Sequence, residues 1–195
     1  MINYILVFIT SFLLGGLSFS YIFGMIYDHT DIRTKGSKNA GATNAYRSYG
    51  LKVGVLSLVC DMLKAVVAVF IAKKLGDKTL EAFAALVVVL SHMYSYMLQF
   101  KGGKGVASSA GALLIIDWRI FIVLVIVFVV VFLITKIVSI SSLTAAIFAP
   151  ISTLVFYGLE ERLLFLFILI MVIMVFYRHK ANIIRIKNKQ EKRLI

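Results

Sequence analysis

The chain has 195 residues, 61% hydrophobic and 15% charged, against roughly 45–50% and about 25% in ordinary soluble domains. So few charged side chains cannot coat a water-soluble core of this size, and a single proline with no serine- or glutamine-rich tract leaves no room for a disordered linker. The formal charge of +12 suits either nucleic acid or the cytoplasmic loops of a membrane protein, and the long apolar blocks favour the second.

The blocks run Asn3–Tyr27, Leu51–Leu75, Thr79–Leu98, Val106–Ile116, Trp118–Lys136, Ser139–Tyr157 and Leu163–Tyr177. Most approach the ~20 residues a helix needs to cross about 30 Å of hydrocarbon. The fourth is short: at about 1.5 Å per residue it covers under about 20 Å, so its length alone suggests a re-entrant segment. The first has no basic stretch ahead of it and is expected to stay in the mature protein. Cys60, the only cysteine, lies inside the second block and cannot form an intramolecular disulfide.

Charge then sets the topology. Arg33, Lys35, Lys38, Arg47 and Lys52 follow the first block, and seven Lys and Arg from Arg178 to Arg193 follow the last. The positive-inside rule puts both on the cytoplasmic side, which needs an odd number of spans. With seven, 15 of the 21 basic residues lie inside and 5 outside, Lys64 falling within a span. The expectation is an all-α integral membrane protein with seven transmembrane helices, N-terminus outside and C-terminus cytoplasmic, forming one polytopic domain over residues 1–195. On its inner face only Asp28, Asp31 and Glu191 are acidic. That field attracts phosphates, whether on a substrate or on anionic lipid headgroups.

Three inner segments carry candidate chemistry. The first is GSKNAGATNAYRSYG, Gly36 to Gly50. Ala40 to Tyr49 is expected to form a short helix closed by Gly50, with Thr43 and Arg47 on one face and Asn44 beside Arg47. Ser37 and Asn39 precede it, where they cap the helix or frame an anion. The same pattern suits an interfacial helix with its arginine on headgroups.

The second is FKGGKGVASS, Phe100 to Ser109. Gly102, Gly103 and Gly105 would let backbone N–H groups converge on a small anion, helped by Lys101, Lys104 and the positive end of the helix starting near Val106. It does not match the Walker A spacing GxxxxGK[ST].

The third is RHKAN, Arg178 to Asn182, with His179 and Asn182 on one helix face. Ser141, Ser142 and Thr144 open the sixth span, to line a cavity or cap the helix. Asp61 and Lys64 are ionisable groups in the bilayer region and are expected to pair. His92 reads as a hydrogen-bonded packing residue, and His29 as a surface one. The histidines lie far apart and no cluster has ligand spacing, so no metal and no cofactor are expected.

Taken together, GSKNAGATNAYR, FKGGKGVAS and HKAN, in this order over seven spans, resemble the bacterial membrane glycerol-3-phosphate acyltransferases that use acyl phosphate as donor. The resemblance runs from about Gly15 to Arg185. It implies acyl transfer to position 1 of glycerol 3-phosphate, giving lysophosphatidic acid and inorganic phosphate, in a multi-pass protein of the bacterial cell membrane. It implies Ser37, Arg47, Lys104, His179 and Asn182 as ligands of glycerol 3-phosphate. The glycines Gly102, Gly103 and Gly105 would serve the acyl phosphate, with Lys104, Thr43 and Ser142 beside them. Lys104, Arg47 and His179 are the candidate catalytic groups. Partners are then the two substrates and membrane lipid, not nucleic acid.

The sequence departs from the family pattern at Lys38 and Ala65, where glycine is usual, at Ser108 for threonine, and at Ala181 for glutamate. No histidine is followed five residues on by an aspartate, so a His–Asp acyltransferase pair is absent. Positioning and charge are therefore expected to carry the catalysis. The acceptor's own phosphate is the implied base, and His179 is the one side chain able to replace it. A transporter would more naturally show internal repeats, and a headgroup transferase a carboxylate-rich metal site; neither is seen.

Overall fold

The computed structural model describes residues 1–194, and among these every regular element is helical. The helices are α1 (Ile2–Gly16), α2 (Phe19–Asp28), α3 (Ala42–Tyr49), α4 (Leu51–Leu75), α5 (Lys78–Met93), α6 (Val106–Ile116), α7 (Trp118–Thr135), α8 (Val138–Tyr157), α9 (Arg162–Arg178) and α10 (Lys180–Lys187). Two single turns, Ile32–Thr34 and Tyr96–Leu98, punctuate the loops. Five spans are long and apolar enough to cross a membrane, α1 and α2 counting as one. A sixth arises if α9 and α10, bent by 61°, are taken together. Helix α6, at 11 residues, spans only about 16 Å.

The chain forms two compact units, Met1–Ile116 and a second beginning at Asp117. In the first, α4 packs against α6, α3, α5 and α1, and α1 also packs along α5. Small residues allow these approaches. A methyl at Gly15 would strike the backbone of Val88, and one at Gly111 the carbonyl of Met62. Ser91 Oγ donates to Phe12 O at 2.6 Å and Tyr96 OH to Leu13 O at 3.0 Å, fastening α1 to α5 and the turn after it.

The first apolar block, expected as one continuous helix, is broken at Leu17–Ser18. The break has a chemical reason. Lys64 Nζ, reaching from α4, donates to Gly15 O at 2.9 Å and to Leu17 O, so carbonyls released from the helical ladder keep a partner.

In the second unit α8 packs against α7 and α9, and the bend to α10 falls at His179. Asp117 caps α7, accepting from the backbone N–H of Arg119 at 2.9 Å and Ile120 at 3.2 Å. Helix α7 buries only Ile120 among its own residues, while Ile122, Ile126, Val130 and Leu133 stay exposed. A helix apolar all round suits lipid and not water.

Candidate active site

The first inner loop is built around Asn44. Its side chain is buried, its Oδ1 accepts from Ser37 N–H at 2.8 Å, and its Nδ2 donates to Ile32 O at 3.1 Å and Lys35 O at 3.0 Å. Asn44 thus faces inward and ties the ends of the loop together, while Thr43 and Arg47, one turn apart on α3, remain half-buried. The expected start at Ala40 moves to Ala42, with Gly41 at the N-cap and no side-chain cap, so neither Ser37 nor Asn39 caps this helix. Ser37 is exposed, held through its backbone. Lys38 adopts a left-handed conformation, φ = 58°.

Arg33 joins this loop to the next. It grips Asp31 in a fork, with Nη2 2.6 Å from Oδ2 and Nε 3.1 Å from Oδ1, and donates from Nη1 to Leu98 O at 2.8 Å. The hydrogen bond from Arg33 holds the Asp31 carboxyl below its usual range. Beneath both loops Ile32, Ala40, Ala45, Val53 and Leu98 form one buried apolar cluster.

The second loop sits on the C-terminal end of α5. Gly102 N–H donates to Met93 O at 3.1 Å and Gly103 N–H to His92 O at 3.2 Å. These two amides are therefore directed at α5, which corrects the expectation that they converge on an anion. Glycine is required at both for close approach: a methyl at Gly102 would meet His92 O, and one at Gly103 would meet the His92 ring and Ala40 O. Gly103 is thus where the first and second motifs touch. Gly105, at φ = 84°, turns the chain into α6. Lys104, between Gly103 and Gly105, is half-buried next to the positive end of that helix.

In the second unit His179 is buried at the bend, with Nδ1 2.8 Å from Val175 O. A carbonyl can only accept, so Nδ1 carries the proton and Nε2 is the basic nitrogen of the neutral ring. Asn182, one turn on, donates from Nδ2 to Glu191 Oε1 at 2.6 Å. Glu191 also accepts from Ser139 Oγ at 2.8 Å and from Arg185 Nε at 2.6 Å. Burial pushes its carboxyl up, but the bonds from Arg185, Ser139 and Asn182 outweigh that and hold it below the usual range. Sequence reasoning counted Glu191 only as one of three inner acids. Its position as the sole carboxylate in a strongly basic tail was the signal that it would be paired.

Ser141 and Ser142 bond back to the carbonyls of Ile137 and Val138, at 3.0 and 2.9 Å, and α8 has no side-chain cap. Among the described residues no group of His, Cys, Asp and Glu could hold a metal ion.

Residues 5–189 match the glycerol-3-phosphate acyltransferase family over nearly the whole chain. The chain belongs to that family. Similar relatives include a glycerol-3-phosphate acyltransferase of Fusobacterium nucleatum, 37% identical and covering 94% of each chain. Glycerol-3-phosphate acyltransferase 2 of Bacillus anthracis is 37% identical over 98% of this chain and 99% of its own. Among solved structures, the fold resembles PlsY (YgiH), an integral membrane glycerol 3-phosphate acyltransferase, in its glycerol 3-phosphate form. The TM-score is 0.92 at 32% identity, over 97% of this chain and 94% of that one. The lysophosphatidic acid form of the same protein gives 0.89 at 31% identity. This is therefore an enzyme of phospholipid synthesis, a multi-pass integral membrane protein that acylates glycerol 3-phosphate.

Proposed function

We propose that the acyl donor is an acyl phosphate and that the products are lysophosphatidic acid and inorganic phosphate. The observation that carries this reading is the meeting of two cationic loops at Gly103, with Lys104 at the start of α6. A site dominated by positive charge, lacking an adjacent carboxylate or nucleophile pair in either motif, suits a donor whose leaving group is already good. An acyl phosphate is a mixed anhydride of that kind.

In this reading the three motifs assign Ser37, Arg47, Lys104, His179 and Asn182 to glycerol 3-phosphate. Lys104, Gly105, Thr43 and Ser142 serve the acyl phosphate, while Gly102 and Gly103, whose amides are taken by α5, shape the loop that carries Lys104. These assignments rest on the three motifs. The 1-hydroxyl oxygen attacks the acyl carbonyl, the carbonyl–phosphate C–O bond breaks, and phosphate leaves. The hydroxyl proton passes to the phosphate of glycerol 3-phosphate, with Nε2 of His179 as the one side-chain alternative. Lys104 and Arg47 stabilise the charge that develops on the phosphates and the carbonyl oxygen. No cofactor is needed.

We also read the chain as one polytopic domain with seven spans, counting α6 and α9, with the N-terminus outside and the C-terminus cytoplasmic. The support is the excess of Lys and Arg in the segments that then lie inside.

The deciding experiment supplies purified protein in detergent or lipid with acyl phosphate and glycerol 3-phosphate. Equimolar phosphate and lysophosphatidic acid are expected. No turnover would refute the donor assignment, and equal turnover with an acyl thioester would replace it.

A further inference from the structure

The first unit buries three ionisable groups for which the proposed reaction has no use: Asp61 at 1% exposure, Lys64 at 4% and His92 at 4%. Lys64 Nζ lies 2.9 Å from Asp61 Oδ1 and 2.9 Å from His92 Nδ1, and Asp61 Oδ1 is 3.6 Å from the same ring nitrogen. Lys64 meets the carbonyls freed between α1 and α2, but that task alone does not call for Asp61 and His92 beside it. Well-packed apolar side chains in place of a buried ion pair are often neutral or stabilising. The cluster's location suggests another purpose.

It lies directly beneath the loop that carries Lys104. His92 O and Met93 O accept the N–H groups of Gly103 and Gly102, and a methyl on Gly103 would collide with His92 Nε2 and Cε1. From the other side of the loop, Ser108 Oγ of α6 donates to Asp61 O at 3.1 Å. The loop is therefore bonded to main-chain carbonyls of the residues that carry the cluster, and touches the cluster's side chains at the His92 ring. Lys64 Nζ faces Nδ1 of His92, and Nε2 is the ring nitrogen that faces Gly103.

We propose that His92 is a positioning residue for acyl transfer: oriented by the Asp61–Lys64 pair, its Nε2 side sets the height and angle of Gly103, and so the place of Lys104. The effect reaches the substrate only through the loop. This inference rests on the reading that the Lys104 loop holds a substrate phosphate, whether that of the acyl donor or that of glycerol 3-phosphate.

The test measures KM and kcat for each substrate separately in the purified full-length protein, with the melting temperature in the same detergent. His92→Leu is expected to raise KM by about tenfold or more, the scale of a small misplacement of a substrate-binding group. Because Lys104 is assigned to both substrates, both KM values are expected to rise, while the melting temperature should stay within about 3 °C. His92→Gln, which restores an acceptor and a donor, should recover most of the loss. Asp61→Asn keeps the ring and leaves Lys64 on Gly15 O and Leu17 O, but weakens what orients the ring, and should give a smaller rise. Unchanged KM values in either folded variant would overturn the proposal. So would a fall in kcat and melting temperature with KM unmoved, which marks a merely structural role. Absence of turnover in the unsubstituted protein would instead refute the underlying reading of the reaction.

Discussion

Asn182 and Glu191 share a 2.6 Å hydrogen bond, which ties a family motif residue to the C-terminal tail. The same carboxylate holds Ser139 and Arg185. Glu191→Ala should leave Asn182 without its anchor and release the tail. Bonds to a buried carboxylate contribute about 1.5–3 kcal/mol each, less for half-exposed Arg185, so a loss of about 3 kcal/mol is expected. Turnover should fall at least about tenfold. Thermal melting and steady-state rates check both, with Glu191→Gln intermediate.

The depressed Glu191 carboxyl also fixes a pH dependence. A folded value below the unfolded one of 4.5 stabilises fully above that pH. The contribution shrinks as pH falls through 4.5 and disappears below the folded value. The melting-temperature gap between the natural protein and Glu191→Gln should be flat above about pH 5.5 and narrow on acidification. A gap that widened on acidification would contradict the assignment.

Lys38 occupies a left-handed position at φ = 58°, where a Cβ is unfavourable and the family pattern has glycine. Lys38→Gly should relieve strain against a larger loss of chain entropy, for a net gain of about 0.5–1 kcal/mol. A rise of a few degrees in melting temperature with unaltered turnover would show it; a lower melting temperature would exclude strain at this site.

Asn44 makes three hydrogen bonds from a buried side chain, one to the Ser37 backbone. Asn44→Ala should strand those groups at a cost of about 2–4 kcal/mol. Ser37 would lose its fixed place, so KM for glycerol 3-phosphate should rise more than KM for the donor.

The base can be assigned by comparing His179→Ala with Asn182→Ala. If the acceptor phosphate takes the proton, both should lose similar, roughly tenfold factors. Removal of a protein base costs about 10²–10⁴, so a loss of that size in His179→Ala alone would give the role to Nε2.

Apolar blocks and turn residues were legible because each is a local signal: every expected span boundary lies within a few residues of a helix end. The motif positions were legible for the same reason. What escaped was tertiary. The break at Leu17–Ser18 depends on Lys64, 47 residues away from Leu17. Asn44 could be placed on a helix but not faced inward without knowing what lay under it. Gly102 and Gly103 read as an anion cup until α5 offered them carbonyls.

The broken first helix also bears on how the protein is made. Its freed carbonyls at Gly15 and Leu17 find their partner only when Lys64 arrives on α4. In hydrocarbon such groups are costly to leave unmet. Until residue 64 is in place, the N-terminal segment carries carbonyls that lipid cannot satisfy, so its stable placement in the bilayer is energetically coupled to that of α4.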